Sequence, residues 1–234
     1  MVSFVNISID IMDDNADSRN NEMITYLIDA GILKSDNIIE AFKKAPRRLF
    51  IPKEHEDIAY RDIPVPIIKN TTISQPSTVA FMLEKLQPRT GEKILEIGAG
   101  SGYQASLLGY CVGDTGKVIA LEIDPDVSNF AIGKIRLTNQ KNVEIVSIDG
   151  SEGYEKEAPY DKIIVTAGMP SVSPKLKSQL RIGGRLIAPV GTSYEQEMFA
   201  IDRVAKDKFM EENLGLFQFV PLRGKAGFNE KGGT

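Results

Sequence analysis

The segment Lys93–Tyr103, with the sequence KILEIGAGSGY, constrains the fold of this chain more than any other. Its first half is a short apolar run with the length and branching of a buried parallel strand. Its second half carries Gly98, Gly100 and Gly102, which allow a sharp turn and a close ligand approach because no Cβ intervenes. A helical pattern follows, and its first N–H groups would face whatever lies above the turn. The segment therefore predicts the first strand, loop and helix of a nucleoside-binding α/β domain.

The spacing of these glycines distinguishes between two kinds of nucleoside site. A dinucleotide site needs glycines in the pattern GxGxxG, but the third position here is Tyr103. A large aromatic side chain would prevent the close packing of helix on strand that the third glycine allows. The observed pattern, ExGxGxG from Glu96 to Gly102, instead resembles motif I of the S-adenosylmethionine-dependent methyltransferases. An ordinary tight turn is the alternative that this stretch alone leaves open.

Strands and helices alternate after this motif. Five apolar segments predict the strands of a parallel sheet: Lys93–Ile97, Val118–Ile123, Val143–Ile148, Lys162–Thr166 and Arg185–Pro189. Two later segments with period-2 alternation, Glu197–Val204 and Leu214–Val220, predict an antiparallel hairpin. We therefore expect the α/β class, with a doubly wound, mostly parallel, Rossmann-like sheet, helices on both faces and a C-terminal hairpin.

The chain before the motif predicts a helical and irregular cap. Residues 1–18 are polar, acidic and without periodicity, which predicts a disordered extension. Residues 19–90 contain short helical patterns separated by several prolines, and such an irregular apolar stretch predicts a cap laid over the ligand site. Residues 91–228 are the predicted methyltransferase core, in one structural domain with the cap.

Composition excludes several classes of protein. No segment approaches the roughly 18 consecutive apolar residues of a membrane span, and the acidic start does not fit a secretory signal. The single cysteine, Cys111, excludes an internal disulfide framework and fits a reducing compartment, so we expect a cytoplasmic protein. A net charge of −4 and a pI near 5.3 argue against broad nucleic-acid binding. We expect neither membranes nor nucleic acids as partners.

Three acidic residues fall at successive strand ends, where the ligand of such a sheet lies. Glu96 is in the first strand, Glu122 ends the second, and Asp149 follows the third and precedes Gly150. A carboxylate at Glu122 could accept hydrogen bonds from both ribose hydroxyls, and an oxygen of Asp149 could accept the adenine amino group. Any one of them could be a solvent-facing loop residue. Their placement together beside a glycine turn predicts a cofactor site.

The sequence gives little support for a metal site or for a catalytic nucleophile. The chain has one histidine, His55, between Glu54 and Glu56, and no Cys, His and Asp residues with the spacing of metal ligands. No Ser-His-Asp or Cys-His set can be assembled from a histidine in that context. We therefore expect no bound metal and no hydrolytic triad.

Several further stretches carry a more specific resemblance. They are APRRLFIP at Ala45–Pro52, TISQP at Thr72–Pro76, APYD at Ala158–Asp161, GGRLIAPVG at Gly183–Gly191 and FVPL at Phe219–Leu222. From Glu22 to Pro221 the sequence resembles the protein-L-isoaspartate (D-aspartate) O-methyltransferases. The glycine motif belongs to all methyltransferases of this fold, whereas the ISQP segment and the FVPL ending are particular to this family. The resemblance implies S-adenosylmethionine as cofactor, S-adenosylhomocysteine as product, and peptides and proteins with isoaspartyl residues as partners.

The resemblance also implies roles for individual residues. With Glu96, the implied cofactor site contains Gly98, Gly100, Ser101 and Gly102 at the methionine portion, Glu122 at the ribose, and Asp149 and Gly150 at the adenine. The implied active-site serine is Ser74. The implied acceptor cleft is lined by Thr72, Ile73, Gln75, Thr166 and Ala167, with Val220, Pro221 and Leu222 along the peptide backbone.

Two positions depart from the family pattern. The family usually has a glycine-rich G-x-G before TISQP, but this chain has Ile68-Lys69-Asn70-Thr71. Asn70 can still adopt a left-handed turn, and Lys69 adds a cation near the predicted mouth of the site. Arg223 follows FVPL where some relatives have a small polar residue. These departures bear on loop conformation and substrate preference more than on cofactor binding.

The implied reaction agrees with the residues present. A carboxylate with a pKa near 4 is ionised at neutral pH, so its methylation needs no general base. Ser74 would orient the carboxylate through its hydroxyl, and its alternative role is to cap the helix that begins near Ser77. The methyl ester would then collapse spontaneously to a succinimide, which begins the repair of the damaged residue.

The sequence alone leaves other functions open. A methyltransferase with another acceptor, such as a small carboxylic acid or RNA, would keep the same glycine turn and strand-end acids. A non-catalytic cofactor-binding protein would keep them too, if the altered loop at Lys69–Thr71 no longer admits a peptide. An NAD-dependent oxidoreductase is disfavoured by Tyr103. We expect a monomer.

Overall fold

The computed structural model describes the backbone of residues 14–228 and the side chains of residues 18–228. The helices are α1 Asp14–Asp29, α2 Asp36–Lys44, α3 Pro76–Leu86, α4 Tyr103–Val112, α5 Pro125–Leu137 and α6 Pro174–Ser178. The strands are β1 Val65–Pro66, β2 Thr72–Ile73, β3 Lys93–Ile97, β4 Lys117–Glu122, β5 Val143–Ser147, β6 Tyr160–Val165, β7 Leu180–Gly191, β8 Gln196–Ala205 and β9 Lys208–Phe217. Short 3₁₀ helices span Arg47–Phe50, Lys53–Ile58 and Glu155–Glu157. None of the helices in this part of the chain is long and apolar enough to cross a membrane.

Seven strands form one sheet in the order β5-β4-β3-β6-β7-β8-β9. The strands from β5 to β7 are parallel, and β8 and β9 add an antiparallel hairpin at the edge. The predicted mostly parallel sheet with a C-terminal hairpin is confirmed. The chain moves outward from β3 to β4 and β5, then returns to place β6 on the other side of β3. A ligand crevice is expected above β3, because the strand order reverses there.

Two strands are longer than their sequence patterns indicated. β7 begins at Leu180 rather than Arg185, and β9 begins at Lys208 rather than Leu214. The first half of β9, KFMEEN, is almost entirely exposed and lies at the sheet edge, so no apolar alternation marks it. Its pairing with β8 is antiparallel and rests on main-chain hydrogen bonds that side-chain periodicity does not report.

Successive residues of the central strands point to opposite faces of the sheet. Ile94 and Val118 belong to the hydrophobic cluster on one face, and Leu95 and Ile119 belong to the cluster on the other. Parallel strands that are buried on both faces are expected to be apolar without alternation. Glu96 lies on the same face as Ile94, which is the face that the cap covers.

The cap packs on the core through an aromatic contact at the start of α4. Phe42 of α2 and Phe50 place their ring centroids 6.1 Å and 5.3 Å from that of Tyr103. These side chains and the buried residues of α1 and α3 share one hydrophobic cluster with β3 and β4. The shared cluster supports our proposal that the cap and the core form one structural domain.

The N-terminal prediction needs correction at residues 14–18. They form the beginning of α1, so the prediction of a disordered extension is wrong for them, and residues 1–13 lie outside the described residues. The apolar face of this helix begins only with the buried Met23 and Ile24. Residues ahead of that face carry no packing signal, and hydrophobic periodicity therefore places the helix start too late.

Two helical glycines, one exposed and one buried, provide a matched test of the packing of α4 on β5. Gly133 in α5 is exposed, and a Cβ there would meet no atom within 4 Å, so Gly133→Ala should raise the free energy of unfolding by about 0.5–1 kcal/mol. A Cβ on Gly109 in α4 would overlap Val143 and lie 2.6 Å from Gln140 Nε2, so Gly109→Ala should lower it by about 1–3 kcal/mol. Urea unfolding measures both. Equal effects of the two substitutions would contradict the packing of α4 on β5.

Candidate active site

The glycine turn after β3 requires backbone conformations that favour glycine. The φ values of Gly98, Gly100 and Gly102 are 95°, 53° and 81°. A Cβ on Gly98 would lie 2.8 Å from Oγ1 of Thr166, the residue that follows β6. That hydroxyl donates to the Gly98 carbonyl at 2.5 Å, so the turn is held directly against the end of β6. Glycine is thus needed at position 98 because the Thr166 hydroxyl of the protein itself lies where a side chain would begin.

Glu122 at the end of β4 is held in place by two backbone N–H groups, one after β3 and one after β4. Its Oε2 accepts the N–H of Gly100 at 3.1 Å, and its Oε1 accepts the N–H of Asp124 at 3.1 Å. The side chain is buried. Each carboxylate oxygen has two acceptor positions, so each can still accept a ligand hydroxyl. The geometry suits the predicted contact with the two hydroxyls of a ribose.

Glu96 in β3 is the most unusual group at the site. It is 0% exposed, and neither carboxyl oxygen has a hydrogen-bond partner among the described residues. Burial, and secondarily repulsion by Glu122, raises the pKa of Glu96 well above its ordinary value of 4.5. The raised pKa favours the protonated, neutral form of Glu96 when no cation lies beside it. A buried carboxyl without a partner in a cavity wall is suited to a cationic ligand.

These groups share one cavity of about 420 Å³, within the usual size range of small-molecule sites. The predicted cofactor residues in its wall are Glu96, Gly98, Gly100, Ser101, Glu122 and Gly150. The predicted catalytic and acceptor residues in its wall are Thr72, Ile73, Ser74, Thr166, Ala167, Val220, Pro221 and Leu222. The cap, the sheet and the C-terminal segment each contribute to this wall.

Three predicted site residues lie outside the cavity wall. Gly102 is the residue before α4, and Gln75 precedes α3 and donates its amide to the Ser77 hydroxyl at 2.8 Å. Asp149 accepts the backbone N–H groups of Ser151 at 2.9 Å and Lys225 at 2.8 Å. Its carboxylate thus anchors the C-terminal segment in this structure. The adenine contact of Asp149 stays a prediction.

The cavity wall also contains residues that were not predicted as site residues. They are Lys69, Asn70, Thr71, Val79, Ile97, Ala99, Tyr103, Gln104, Leu121, Ile123 and Arg223. Leu121 and Ile123 flank Glu122, so their position at a strand end could have indicated that they line the site. Gln104 lies in the first turn of α4, whose N–H groups point toward the crevice. Lys69 and Arg223 were noted only as departures from the family pattern.

Ser74 is half-buried, and its hydroxyl has no hydrogen-bond partner among the described residues. The N-cap of α3 is Gln75, so Ser74 does not fill the alternative role of a helix cap. The adjoining cap segment lies against the glycine turn, since a Cβ on Gly100 would be 3.9 Å from Thr71 Cγ2 and 4.0 Å from the Thr72 carbonyl oxygen. The hydroxyl is therefore free to bind a group inside the cavity.

The site fits a nucleoside that carries a positive charge. Glu122 suits a ribose, the backbone of the glycine turn lines the cavity, and the unpartnered Glu96 suits a cation. The described residues contain no group of His, Cys, Asp and Glu side chains that could hold a metal ion. Fold and site together define a Rossmann-like, S-adenosylmethionine-dependent methyltransferase.

Comparison with known proteins gives the family. The chain belongs to the protein-L-isoaspartate (D-aspartate) O-methyltransferases, whose family model matches residues 18–227. A protein-L-isoaspartate O-methyltransferase of Methanopyrus kandleri is 40% identical over 220 residues, covering 93% of this chain and 97% of that protein. The protein-L-isoaspartate O-methyltransferase 2 of Archaeoglobus fulgidus is 43% identical over 194 residues, covering 83% of this chain and 88% of that protein.

Solved structures agree with this assignment. A protein-L-isoaspartate O-methyltransferase superposes with a TM-score of 0.82 at 29% identity, covering 89% of this chain and 67% of that chain. A Plasmodium falciparum protein solved in complex with S-adenosyl-L-homocysteine superposes with a TM-score of 0.78 at 25% identity, covering 87% of this chain and 98% of that chain. The resemblance read from the sequence is confirmed.

The raised pKa of Glu96 predicts that the effect of Glu96→Gln on the free energy of unfolding depends on pH. The native chain keeps a proton on Glu96 that the unfolded chain releases above pH 4.5. The wild-type free energy of unfolding therefore falls as pH rises from 4.5 toward the raised pKa, by up to about 1.4 kcal/mol per pH unit. Glutamine cannot ionise, so the free energy of unfolding of Glu96→Gln relative to wild type should rise as pH increases above 4.5.

Urea unfolding of both proteins from about pH 4.5 to about pH 8 measures this difference. Glu155→Gln, at an exposed position, controls for the chemical change itself. A stability difference between wild type and Glu96→Gln that does not change with pH would contradict the assignment.

Proposed function

We propose that this chain transfers a methyl group from S-adenosylmethionine to the side-chain carboxylate of L-isoaspartyl and D-aspartyl residues in proteins. The observation that carries the proposal is the position of Ser74, whose unpartnered hydroxyl shares one cavity wall with Glu122 and the glycine turn. A hydroxyl donor and a cofactor site in the same cavity can bring an acceptor carboxylate to a methyl donor. Family membership and the named relatives support the same activity.

The cofactor supplies an electrophilic methyl group on a sulfonium. Glu122 would accept the ribose hydroxyls, and Gly98 and Gly100 would allow the methionine portion to lie against the backbone. Glu96 would face the positive charge, and its carboxyl would ionise as that charge compensates for burial. Asp149 and Gly150 would lie at the adenine end.

The reaction needs orientation more than acid–base catalysis. The acceptor carboxylate is already ionised at neutral pH, and the one histidine of the chain, His55, is not in the cavity wall. Ser74 would donate to one carboxylate oxygen and thereby aim the other at the methyl carbon, at about 3–3.5 Å. The carboxylate and the sulfonium neutralise each other as they react, so a site that excludes water favours the transition state.

The C-terminal segment offers a backbone edge for the peptide. The carbonyl of Val220 accepts the Gly168 N–H at 2.9 Å, and the N–H of Leu222 donates to the Gly168 carbonyl at 2.6 Å. The carbonyl of Pro221 therefore points to the opposite edge, because backbone groups alternate along an extended chain. We assign that carbonyl to the substrate backbone, beside the acceptor cleft formed by Thr72 and Ala167.

The ester product explains the place of this enzyme in protein repair. The next backbone amide of the substrate attacks the methyl ester and expels methanol, which gives a succinimide. Hydrolysis of the succinimide returns part of the material to normal aspartate. No residue of this chain is needed for either step, so the enzyme only has to release the ester.

We also propose that the protein acts in the cytoplasm as a monomer and binds no nucleic acid. The single cysteine fits a reducing compartment, and the net charge of −4 disfavours non-specific binding to phosphate backbones.

The first test is transfer of labelled methyl from S-adenosylmethionine to an isoaspartyl peptide, with the matching aspartyl peptide as control. Base-labile label on the isoaspartyl peptide alone is the expected result, because only a carboxyl methyl ester is released by mild base. Label on a small acid or on RNA instead would point to a methyltransferase with another acceptor. Cofactor binding without transfer to any acceptor would point to a non-catalytic protein.

The role of Ser74 predicts a loss of turnover without a loss of cofactor binding. Ser74→Ala should reduce kcat on the isoaspartyl peptide by at least about tenfold, since it removes one orienting hydrogen bond. The dissociation constant for S-adenosylmethionine should stay within about twofold, which equilibrium dialysis measures.

Ser128→Ala is the control, because Ser128 Oγ likewise has no hydrogen-bond partner among the described residues but is buried and lies outside the cavity wall. An unchanged kcat in Ser74→Ala would rule out the orienting role.

A further inference from the structure

The cavity wall carries two cations, and both reach the start of α5. Lys69 Nζ lies 2.9 Å from Asp126 Oδ2. Arg223 Nη2 lies 3.7 Å from Asp124 Oδ2 and 4.0 Å from Glu122 Oε1. Asp124 is the N-cap of α5, and Asp126 lies in its first turn. The two positions where the sequence departs from the family pattern therefore meet at one end of one helix.

The two cations come from segments that cover the cavity from different sides. Lys69 and Asn70, with φ values of 52° and 59°, form the turn between β1 and β2, which lies over the glycine turn at Gly100. Arg223 belongs to the C-terminal segment, which is fixed by the hydrogen bond from the Lys225 N–H to Asp149. Neither segment is continuous with α5. Among the residues that the structure describes, the ion pairs that join these two covers to the start of α5 are made by the side chains of Lys69 and Arg223.

We propose that Lys69 and Arg223 form a latch with Asp126 and Asp124 that slows the release of the bound cofactor. The inference rests on the proposed function, because it concerns retention of S-adenosylmethionine in the cavity described above. Lys69 and Arg223 lie in the wall of the cavity that also contains Glu122, so we infer that a ligand bound at Glu122 leaves past one of the two covers. Movement of either cover separates a cation from a carboxylate.

The exposure of these groups determines how the latch behaves. The side chains of Lys69 and Asp126 are 56% and 63% exposed. Exposed ion pairs are individually weak and are screened by salt. The latch therefore opens readily, and its effect appears as a dependence of the release rate on ionic strength rather than as a permanent closure.

The release rate is measured by a chase experiment on the full chain. Protein loaded with methyl-labelled S-adenosylmethionine is mixed with excess unlabelled cofactor, and the label retained on a filter is followed with time. Intrinsic tryptophan fluorescence cannot serve, because the chain has no tryptophan. Between about 0.01 M and about 1 M salt the Debye length falls from ~30 Å to ~3 Å, and wild-type release should become faster by about threefold or more.

Variants separate the latch from general effects of charge. Lys69→Met and Arg223→Met should each release label faster at low salt and show a smaller salt dependence. Lys69→Asp should release label faster still, because it places two carboxylates together. Adding Asp126→Lys to Lys69→Asp restores an opposite-charge pair and should restore slow, salt-dependent release.

Lys43→Met is the matched control. Lys43 and Glu40 form an ion pair of similar length and exposure, 2.8 Å with side chains 49% and 55% exposed, away from the cavity wall. Release from Lys43→Met should match that from wild type at every salt concentration.

Two results would overturn the latch. The first is a wild-type release rate that does not change with salt, although the cofactor binds normally and the isoaspartyl peptide is methylated. That result would rule out the latch and leave the proposed function intact. The second is an equal effect of Lys43→Met and Lys69→Met, which makes the dependence a property of net charge. Failure of the wild-type protein both to bind S-adenosylmethionine at equilibrium and to methylate the isoaspartyl peptide would overturn both proposals.

Discussion

The contact between the glycine turn and the end of β6 is the constraint on which the rest of the site depends. The Thr166 hydroxyl occupies the space where a side chain on Gly98 would begin, and it holds the turn against the sheet. From there the backbone reaches Gly100, whose N–H orients Glu122. Helix α4 then starts at Tyr103, the residue against which the cap packs. A shift of this turn would therefore displace both Glu122 and Tyr103, the residue on which the cap packs.

Glu96 lowers the stability of the native state. A carboxyl that is fully buried without a hydrogen-bond partner costs free energy in the native state. Its strand neighbours on the same face are apolar, and an apolar residue would pack there without that cost. The carboxyl becomes useful when a cation lies in the cavity, since the cation favours its ionised form. The fold alone therefore gives no stabilising partner to the Glu96 carboxyl, which agrees with the proposed contact to a cationic ligand.

The cap and the C-terminal segment show how surface elements become part of a binding site. The cap brings Ser74 and Lys69 to the cavity, and the C-terminal segment brings Val220 and Arg223. Both segments lie over the carboxyl ends of the parallel strands, where the sheet alone would leave the crevice open. The Lys69–Asp126 pair is exposed and the Arg223–Asp124 pair is partly exposed, whereas the cap as a whole is anchored by a buried hydrophobic cluster. Movement at the mouth can therefore occur without unfolding the cap.

The sequence by itself determined the parallel strands, the glycine turn, the position of Glu122 at a strand end and the family, because buried strands and short motifs leave local patterns. It did not locate the start of α1 or the first half of β9, since exposed chain carries no apolar periodicity. Only the tertiary structure decided that Asp149 holds the C-terminal segment and that Lys69 and Arg223 meet at α5. The physical reason is that these contacts join residues far apart in the chain, and such pairings depend on how the elements pack.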